Sequence, residues 1–269
     1  MKSYSLQENI RQAHYLYSLN ILGVSKDPTQ QLQHWLKYRK LHSEFIKENK
    51  SSKIITDMNV TGLGKDKPET NLFFLFHQGF YFTIPYFMVK HYDYAGARFI
   101  MTKQSFDQTL AKQCATAFDT DFKPIIIDDK GLFVRELIKA KRQNYCIFLL
   151  TDLPFGYSGR SINFYETAFG TLKYRTGFMK IAQVLKQQPT LITSHVNNDF
   201  DSIHYNFTLI NDTETLMAKL TQIYSQEYLT AERLDDLKKM CQFSNPVMDF
   251  KVEFECNNKK YRYYPATEK

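Results

Sequence analysis

The sequence contains few cysteines, glycines and prolines. Its four cysteines are scattered and form no CxxC pair, which argues against a zinc site and against a disulfide framework: Cys114, Cys146, Cys241 and Cys256. With only 10 Gly and 8 Pro in 269 residues, there is little room for long irregular linkers. Most of the chain is therefore expected to form regular structure. The scattered cysteines fit a reducing compartment best.

Long apolar runs are also missing. The N-terminal residues carry no apolar stretch of signal-peptide length. The most apolar segment, 72–89, is interrupted by His77, Gln78, Gly79 and Pro85, so a membrane-spanning helix is not expected. We expect a cytoplasmic protein, with peripheral attachment to the inner face of the membrane left open.

Charge and apolar content limit the class of protein. With 43% hydrophobic and 15% aromatic residues, the chain is neither disordered nor fibrous. The net charge is +7, and residues 1–67 contribute much of it, with 11 basic and 6 acidic side chains. This asymmetry favours an anionic partner, such as an acidic protein or a lipid surface, or else a plain basic face. Nucleic acid is disfavoured because no aromatic-basic motif is present.

Hydrophobic periodicity predicts an α/β fold. Residues 4–22 and 29–48 have the spacing of amphipathic helices. From residue 71, short apolar runs alternate with helical segments, which is typical of a largely parallel sheet covered by helices on both faces. The predicted strands are 71–76, 97–101, 123–127, 145–150, 189–194 and 202–210. The predicted helices between and after them are 79–91, 105–118, 131–142, 176–187 and one or two within 213–240.

The organisation predicted from these elements is a helical segment, 1–67, followed by one α/β domain, 68–269. The segment 60–70 is interpreted as the loop that introduces the first core strand. Residues 252–256 and 260–265 are interpreted as a terminal strand or hairpin. No Walker, Rossmann or zinc signature occurs.

Two predicted strands end in polar residues, and ligands of open α/β sheets gather outside the carboxyl ends of strands. His77 follows the run LFFLF, where a neutral imidazole could accept a proton. The alternative is a histidine that only hydrogen-bonds the loop backbone.

Asp152 follows the run YCIFLL and opens a long connection that reaches residue 177. Long loops in this position are often functional. Gly156 permits a tight path, and three cationic side chains could bind an anionic group: Arg160, Lys173 and Arg175. The alternative is a turn-capping Asp152 beside a solvated basic rim.

Four segments resemble, in order and spacing, motifs of the lysophospholipid acyltransferase superfamily, closest to the lauroyl/myristoyl acyltransferases of lipid A biosynthesis. They are LFFLFHQGFYF around His77, LLTDLPFG with Asp152 and Gly156, SINFYETAFG, and RTGFMKIAQVLKQQPTLIT. The resemblance covers roughly residues 70–210. It implies a glycerol-3-phosphate acyltransferase-like fold, which in this chain follows the two helices predicted from periodicity.

The resemblance also implies an activity. An acyl group would move from a thioester of acyl carrier protein or CoA to a hydroxyl or amine of a lipid or secondary-metabolite acceptor. His77 would be the general base, and Asp152 would position polar groups. Arg160, Lys173 and Arg175 would bind a phosphate of donor or acceptor, and no cofactor or metal would be held.

One departure opens an alternative. The family keeps an acidic partner five residues after its histidine, and this chain has Phe82 there. Either another carboxylate replaces that acid, Asp152 being the nearest candidate, or catalysis is weakened or lost. In the second case the chain would be a non-catalytic relative that binds a lipid, an acyl chain or a partner protein.

Overall fold

A computed structural model describes most of the chain. The described residues are 5–23, 27–48, 53–103, 121–128, 130–152, 162–226, 241–243, 252–256 and 259–263. The predicted helix 105–118 and the residues 227–240 lie outside them.

The helices of the described residues include the two predicted at the N-terminus. In chain order they are α1 (Leu6–Ile21), α2 (Pro28–Glu48), the short α3 (Lys53–Thr56), a 3-10 turn (Tyr81–Thr83) that leads into α4 (Ile84–Tyr92), α5 (Lys130–Arg142), α6 (Gly177–Leu185) and α7 (Thr213–Gln226). Ser5 caps α1 by accepting the backbone N–H of Glu8 at 3.2 Å, which satisfies one otherwise unpaired donor of the first turn.

The strands of the described residues belong to three sheets. They are β1 (Asn59–Thr61), β2 (Leu72–Leu75), β3 (Ala97–Met101), β4 (Phe122–Ile126), β5 (Cys146–Leu150), β6 (Ile162–Thr167), β7 (Gly170–Arg175), β8 (Thr190–Val196), β9 (Ser202–Leu209), β10 (Cys241–Phe243), β11 (Val252–Cys256) and β12 (Lys259–Tyr263). Strands β11 and β12 form an antiparallel pair, which confirms the predicted terminal hairpin.

The main sheet confirms the α/β prediction. Within the described residues it has seven strands in the order β1-β9-β8-β2-β5-β3-β4. All neighbours are parallel except β8 and β9, which are antiparallel. The central strands β2 and β5 are almost entirely buried, which explains why they are continuous apolar runs in the sequence.

The N-terminal helices share the hydrophobic core of the sheet. The Tyr15 ring of α1 stacks on the Trp35 ring of α2 at 4.6 Å between centroids. Further along α2, Phe45 packs against Phe82 at 4.9 Å. One continuous cluster of buried side chains includes both contacts and the sheet strands. The helices therefore cover the segment that follows β2.

Two loop predictions are wrong. The connection after Asp152 was expected to be a long loop, but residues 162–175 form the hairpin β6–β7, which joins β10 in a separate antiparallel sheet. The expected loop 60–70 begins with part of β1, which pairs with β9. In both places the strands carry many polar and exposed residues, so hydrophobicity gives only a weak signal.

Candidate active site

The register of the central strands brings His77 and Asp152 together. Strands β2 and β5 are parallel neighbours, and Leu75 lies opposite Leu150. His77 and Asp152 each follow two residues after these strand ends, so they leave the sheet side by side. Both are buried, with 2% and 4% of their surface exposed. The two polar residues predicted at the sheet edge are therefore in one place.

His77 and Asp152 make two direct hydrogen bonds. The imidazole Nδ1 lies 2.8 Å from Asp152 Oδ1, and the backbone N–H of His77 donates to Asp152 Oδ2 at 2.6 Å. The second bond ties the carboxylate to the main chain that carries the imidazole. The pair is therefore held together by both side chain and backbone.

A third donor reaches the same carboxylate. The hydroxyl of Tyr224, on the buried face of α7, donates to Asp152 Oδ2. Sequence reasoning missed Tyr224, because helical periodicity places it on a core face but says nothing about the partner of its hydroxyl. A buried tyrosine hydroxyl needs a hydrogen-bond partner, and here the partner is the carboxylate of the candidate site.

These contacts favour an ionised Asp152. Burial alone raises the pKa of its carboxyl, but the charge of His77 and the hydrogen bonds from His77 and Tyr224 outweigh burial, so the pKa lies below its ordinary value. An ionised carboxylate only accepts hydrogen bonds, so Nδ1 must carry a proton. With Nδ1 protonated, the lone pair of the ring lies on Nε2 whenever the imidazole is neutral.

The turn after His77 requires a glycine. Gly79 has a φ of 57°, in the left-handed region that favours glycine, and a Cβ there would lie 2.5 Å from both the carbonyl oxygen and Oγ of Ser194. Ser194 Oγ also donates to the carbonyl of Gln78 at 3.2 Å. Strand β8 therefore supports the turn directly behind the histidine.

Phe82 packs against α2. Its ring lies 4.8 Å from that of His42 and 4.9 Å from that of Phe45, measured between ring centroids. The ring of Tyr81, and not that of Phe82, lies against His77, at 5.0 Å between centroids. The position at which the resembling family keeps its acid is thus part of the helix–core interface, and Asp152 supplies the carboxylate that contacts the imidazole.

The structure says little about the residues predicted to bind an anionic group. Lys173 is exposed on β7, opposite the exposed Phe164 in the β6–β7 register. Arg175 ends β7, but its side chain lies outside the described atoms. Gly156 and Arg160 lie outside the described residues. Their predicted role in binding an anionic group stays a prediction.

Several basic residues of the first 67 make contacts within the protein. Arg39 donates to Glu8 at 2.7 Å and lies over the Trp35 ring, and Lys37 donates to the backbone carbonyl of Asp199. Besides Lys37, the exposed cations among the described residues of α2 and α3 are Lys40, Lys47 and Lys53, and Lys40 Nζ lies 3.8 Å from Glu44 Oε1. These three lysines define the basic face of the N-terminal helices.

Comparison with known proteins finds no family model and no curated protein that matches this chain. Within the described residues, no group of three or more His, Cys, Asp or Glu side chains could hold a metal ion. None of the described helices is long and apolar enough to cross a membrane.

Proposed function

We propose that the protein is an acyltransferase whose general base is His77, oriented by Asp152. The observation that carries the proposal is the buried hydrogen bond between His77 Nδ1 and Asp152 Oδ1 at the carboxyl edge of a largely parallel sheet. A histidine held by a carboxylate in this way is suited to general-base catalysis. The order of segments that resembles the lysophospholipid acyltransferase superfamily supports the same reaction, and with it a glycerol-3-phosphate acyltransferase-like fold.

The proposed reaction is a single acyl transfer. His77 Nε2 accepts the proton of an acceptor hydroxyl or amine while the acceptor atom forms a bond to the thioester carbonyl carbon. Asp152 stabilises the imidazolium that forms. The carbon–sulfur bond then breaks, and the leaving thiolate takes the proton back from His77. The base is regenerated, and no oxidant or metal is consumed.

The proposed donor is an acyl thioester of acyl carrier protein or CoA. The basic face formed by Lys40, Lys47 and Lys53 supports a negatively charged partner, because opposite charges accelerate docking. An acidic carrier protein, or an anionic membrane that presents a lipid acceptor, fits this charge. The acceptor is proposed to be a lipid or a secondary metabolite that carries a free hydroxyl or amine.

The first test replaces His77 by Asn. The Asn amide nitrogen occupies the place of Nδ1 and still donates to Asp152, so the buried carboxylate keeps its partner while the basic Nε2 is lost. Transfer should fall by about 10²-fold or more, with little change in melting temperature. The assay measures thiol release from acyl carrier protein and CoA thioesters in the presence of hydroxyl and amine acceptors. His204→Asn, an exposed histidine of β9, is the control.

The non-catalytic alternative gives the opposite result. If neither thioester is turned over by the wild type, and an acyl chain or lipid co-purifies with the protein by mass spectrometry, the chain is a binding protein. Full transfer activity in His77→Asn would also refute the proposed base.

A second test replaces Asp152 by Asn. The amide oxygen can accept the two bonds now made to Oδ2, which directs the amide N–H₂ towards His77 Nδ1. Nδ1 must then become the acceptor, so the ring proton moves to Nε2 and the base is lost. Turnover should fall by about 10²–10⁴-fold, whereas stability should change much less. Loss of stability without loss of transfer would make Asp152 structural only.

A further inference from the structure

The carboxylate of Asp152 is held by donors from two different elements. Oδ2 accepts the backbone N–H of His77, at the end of β2, and the hydroxyl of Tyr224, on α7. With Oδ2 held from two directions, the plane of the carboxylate is fixed and Oδ1 points at His77 Nδ1, 2.8 Å away. Helix α7 therefore contributes to the orientation of the imidazole that follows β2.

Tyr224 is itself held firmly. It is fully buried, and its ring packs edge-on against Phe76 at 6.3 Å between centroids. The neighbouring core positions of α7 are apolar: Leu216, Met217, Leu220 and Ile223. At such a position a phenylalanine would pack equally well without a hydroxyl to satisfy, so the hydroxyl is the informative feature of this residue.

We propose that Tyr224 is a positioning residue for catalysis, which fixes the Asp152 carboxylate so that His77 keeps its proton on Nδ1 and its basic lone pair on Nε2. Its effect on turnover rests on the proposed function, but its effect on the His77 tautomer does not. Tyr224 acts through Asp152 and is not assigned a contact with substrate.

The variant Tyr224→Phe removes the hydroxyl and keeps the ring against Phe76. Asp152 Oδ2 then keeps only the backbone donor, and the carboxylate gains freedom to turn. We expect kcat to fall about tenfold with KM unchanged, because an interaction that orients the base acts on the chemical step and not on substrate binding. The Nδ1 proton of His77, observed by ¹⁵N-edited NMR, should exchange with water about tenfold faster or more than in the wild type.

A matched control is available on β9. Tyr205 is also fully buried, and its hydroxyl shares a 2.8 Å hydrogen bond with Thr83 Oγ1. Tyr205→Phe therefore removes one buried tyrosine hydroxyl without touching Asp152. Each variant should lose about 1–2 kcal/mol of stability, the ordinary cost of such a bond, which equals a change of roughly 5- to 30-fold in the unfolding equilibrium constant. Only Tyr224→Phe should change kcat and the exchange of the His77 proton.

The outcomes separate the two proposals. If Tyr224→Phe loses stability as Tyr205→Phe does, but kcat and the His77 Nδ1 proton are unchanged, Tyr224 is a structural residue and the inference is overturned. If the wild type transfers no acyl group from either thioester, the proposed function fails, and the NMR measurement still decides the role of Tyr224. In either case, faster exchange of the His77 Nδ1 proton in Tyr224→Phe but not in Tyr205→Phe supports the role of Tyr224 in orienting the His77–Asp152 pair.

Discussion

Acidification should destabilise the protein well above the pH at which its carboxylates titrate, because of His42. This side chain lies on α2, stacks on Tyr38 at 5.9 Å and packs against Phe82 at 4.8 Å. Burial, together with the nearby charge of Arg39, lowers the pKa of His42 from 6.5 to about 4. In the unfolded chain it returns to its ordinary value, so between these two pH values the unfolded state binds a proton that the folded state does not.

The magnitude follows from the size of the shift. The stability that depends on neutral His42 is fully present above pH 6.5 and is lost progressively as the pH falls towards 4. The full shift corresponds to about 3 kcal/mol, and the partial exposure of His42 reduces this to about 1–2 kcal/mol. For a domain of this size that is a decrease in melting temperature of about 2–8 °C.

Urea denaturation at intervals between pH 4.5 and 7.5 measures this loss. Asp152 and Asp121, whose pKa values are lowered, affect stability mainly below this range. His42→Gln should remove the pH dependence that His42 causes, while His91→Gln, at an exposed position of α4, should retain it. Parallel pH profiles for the wild type and His42→Gln would show that His42 is not held neutral by the fold.

Three further changes test other parts of the structure. Gly79→Ala should cost about 2–4 kcal/mol in urea denaturation, through its left-handed backbone and the contact with Ser194, and should lower transfer by displacing His77. Phe82→Asp places an acid where the acyltransferases that the chain resembles have one, but directs it at α2. It should therefore lower the melting temperature and fail to rescue transfer in Asp152→Asn; a rescue would contradict the described packing. Replacing the three lysines of the basic face, Lys40, Lys47 and Lys53, by Glu should slow transfer from an acyl carrier protein far more than transfer from a small thioester. Equal slowing with both donors would argue against recognition of the carrier.

The central part of the fold could be predicted because burial leaves a simple pattern. Strands β2 and β5 are buried on both faces, so they appear as unbroken apolar runs, and each is followed two residues later by a polar residue. Parallel pairing then brings His77 and Asp152 together, since equal offsets from aligned strand ends meet at the same edge. The sequence was therefore enough to nominate both residues.

Other features left no such pattern. Strand β1 has only three residues, none of them buried, which is too short for periodicity to detect. The hairpin β6–β7 mixes exposed polar positions with an exposed Phe164, so it is easily taken for a loop. The direction of Phe82 and the hydrogen bond of Tyr224 depend on packing between elements far apart in the chain, and local sequence carries no information about them.

The position of β1 has a consequence for synthesis of the chain. In the described sheet its only strand partner is β9, which lies about 140 residues later, so this pairing closes one of the longest loops in the fold. During synthesis β1 cannot pair until β9 has emerged from the ribosome, whereas β2 and β5 can align much earlier. Folding of the sheet should thus proceed outward from the pair β2–β5, which His77 and Asp152 follow, and β1 should be among the last of the described strands to join.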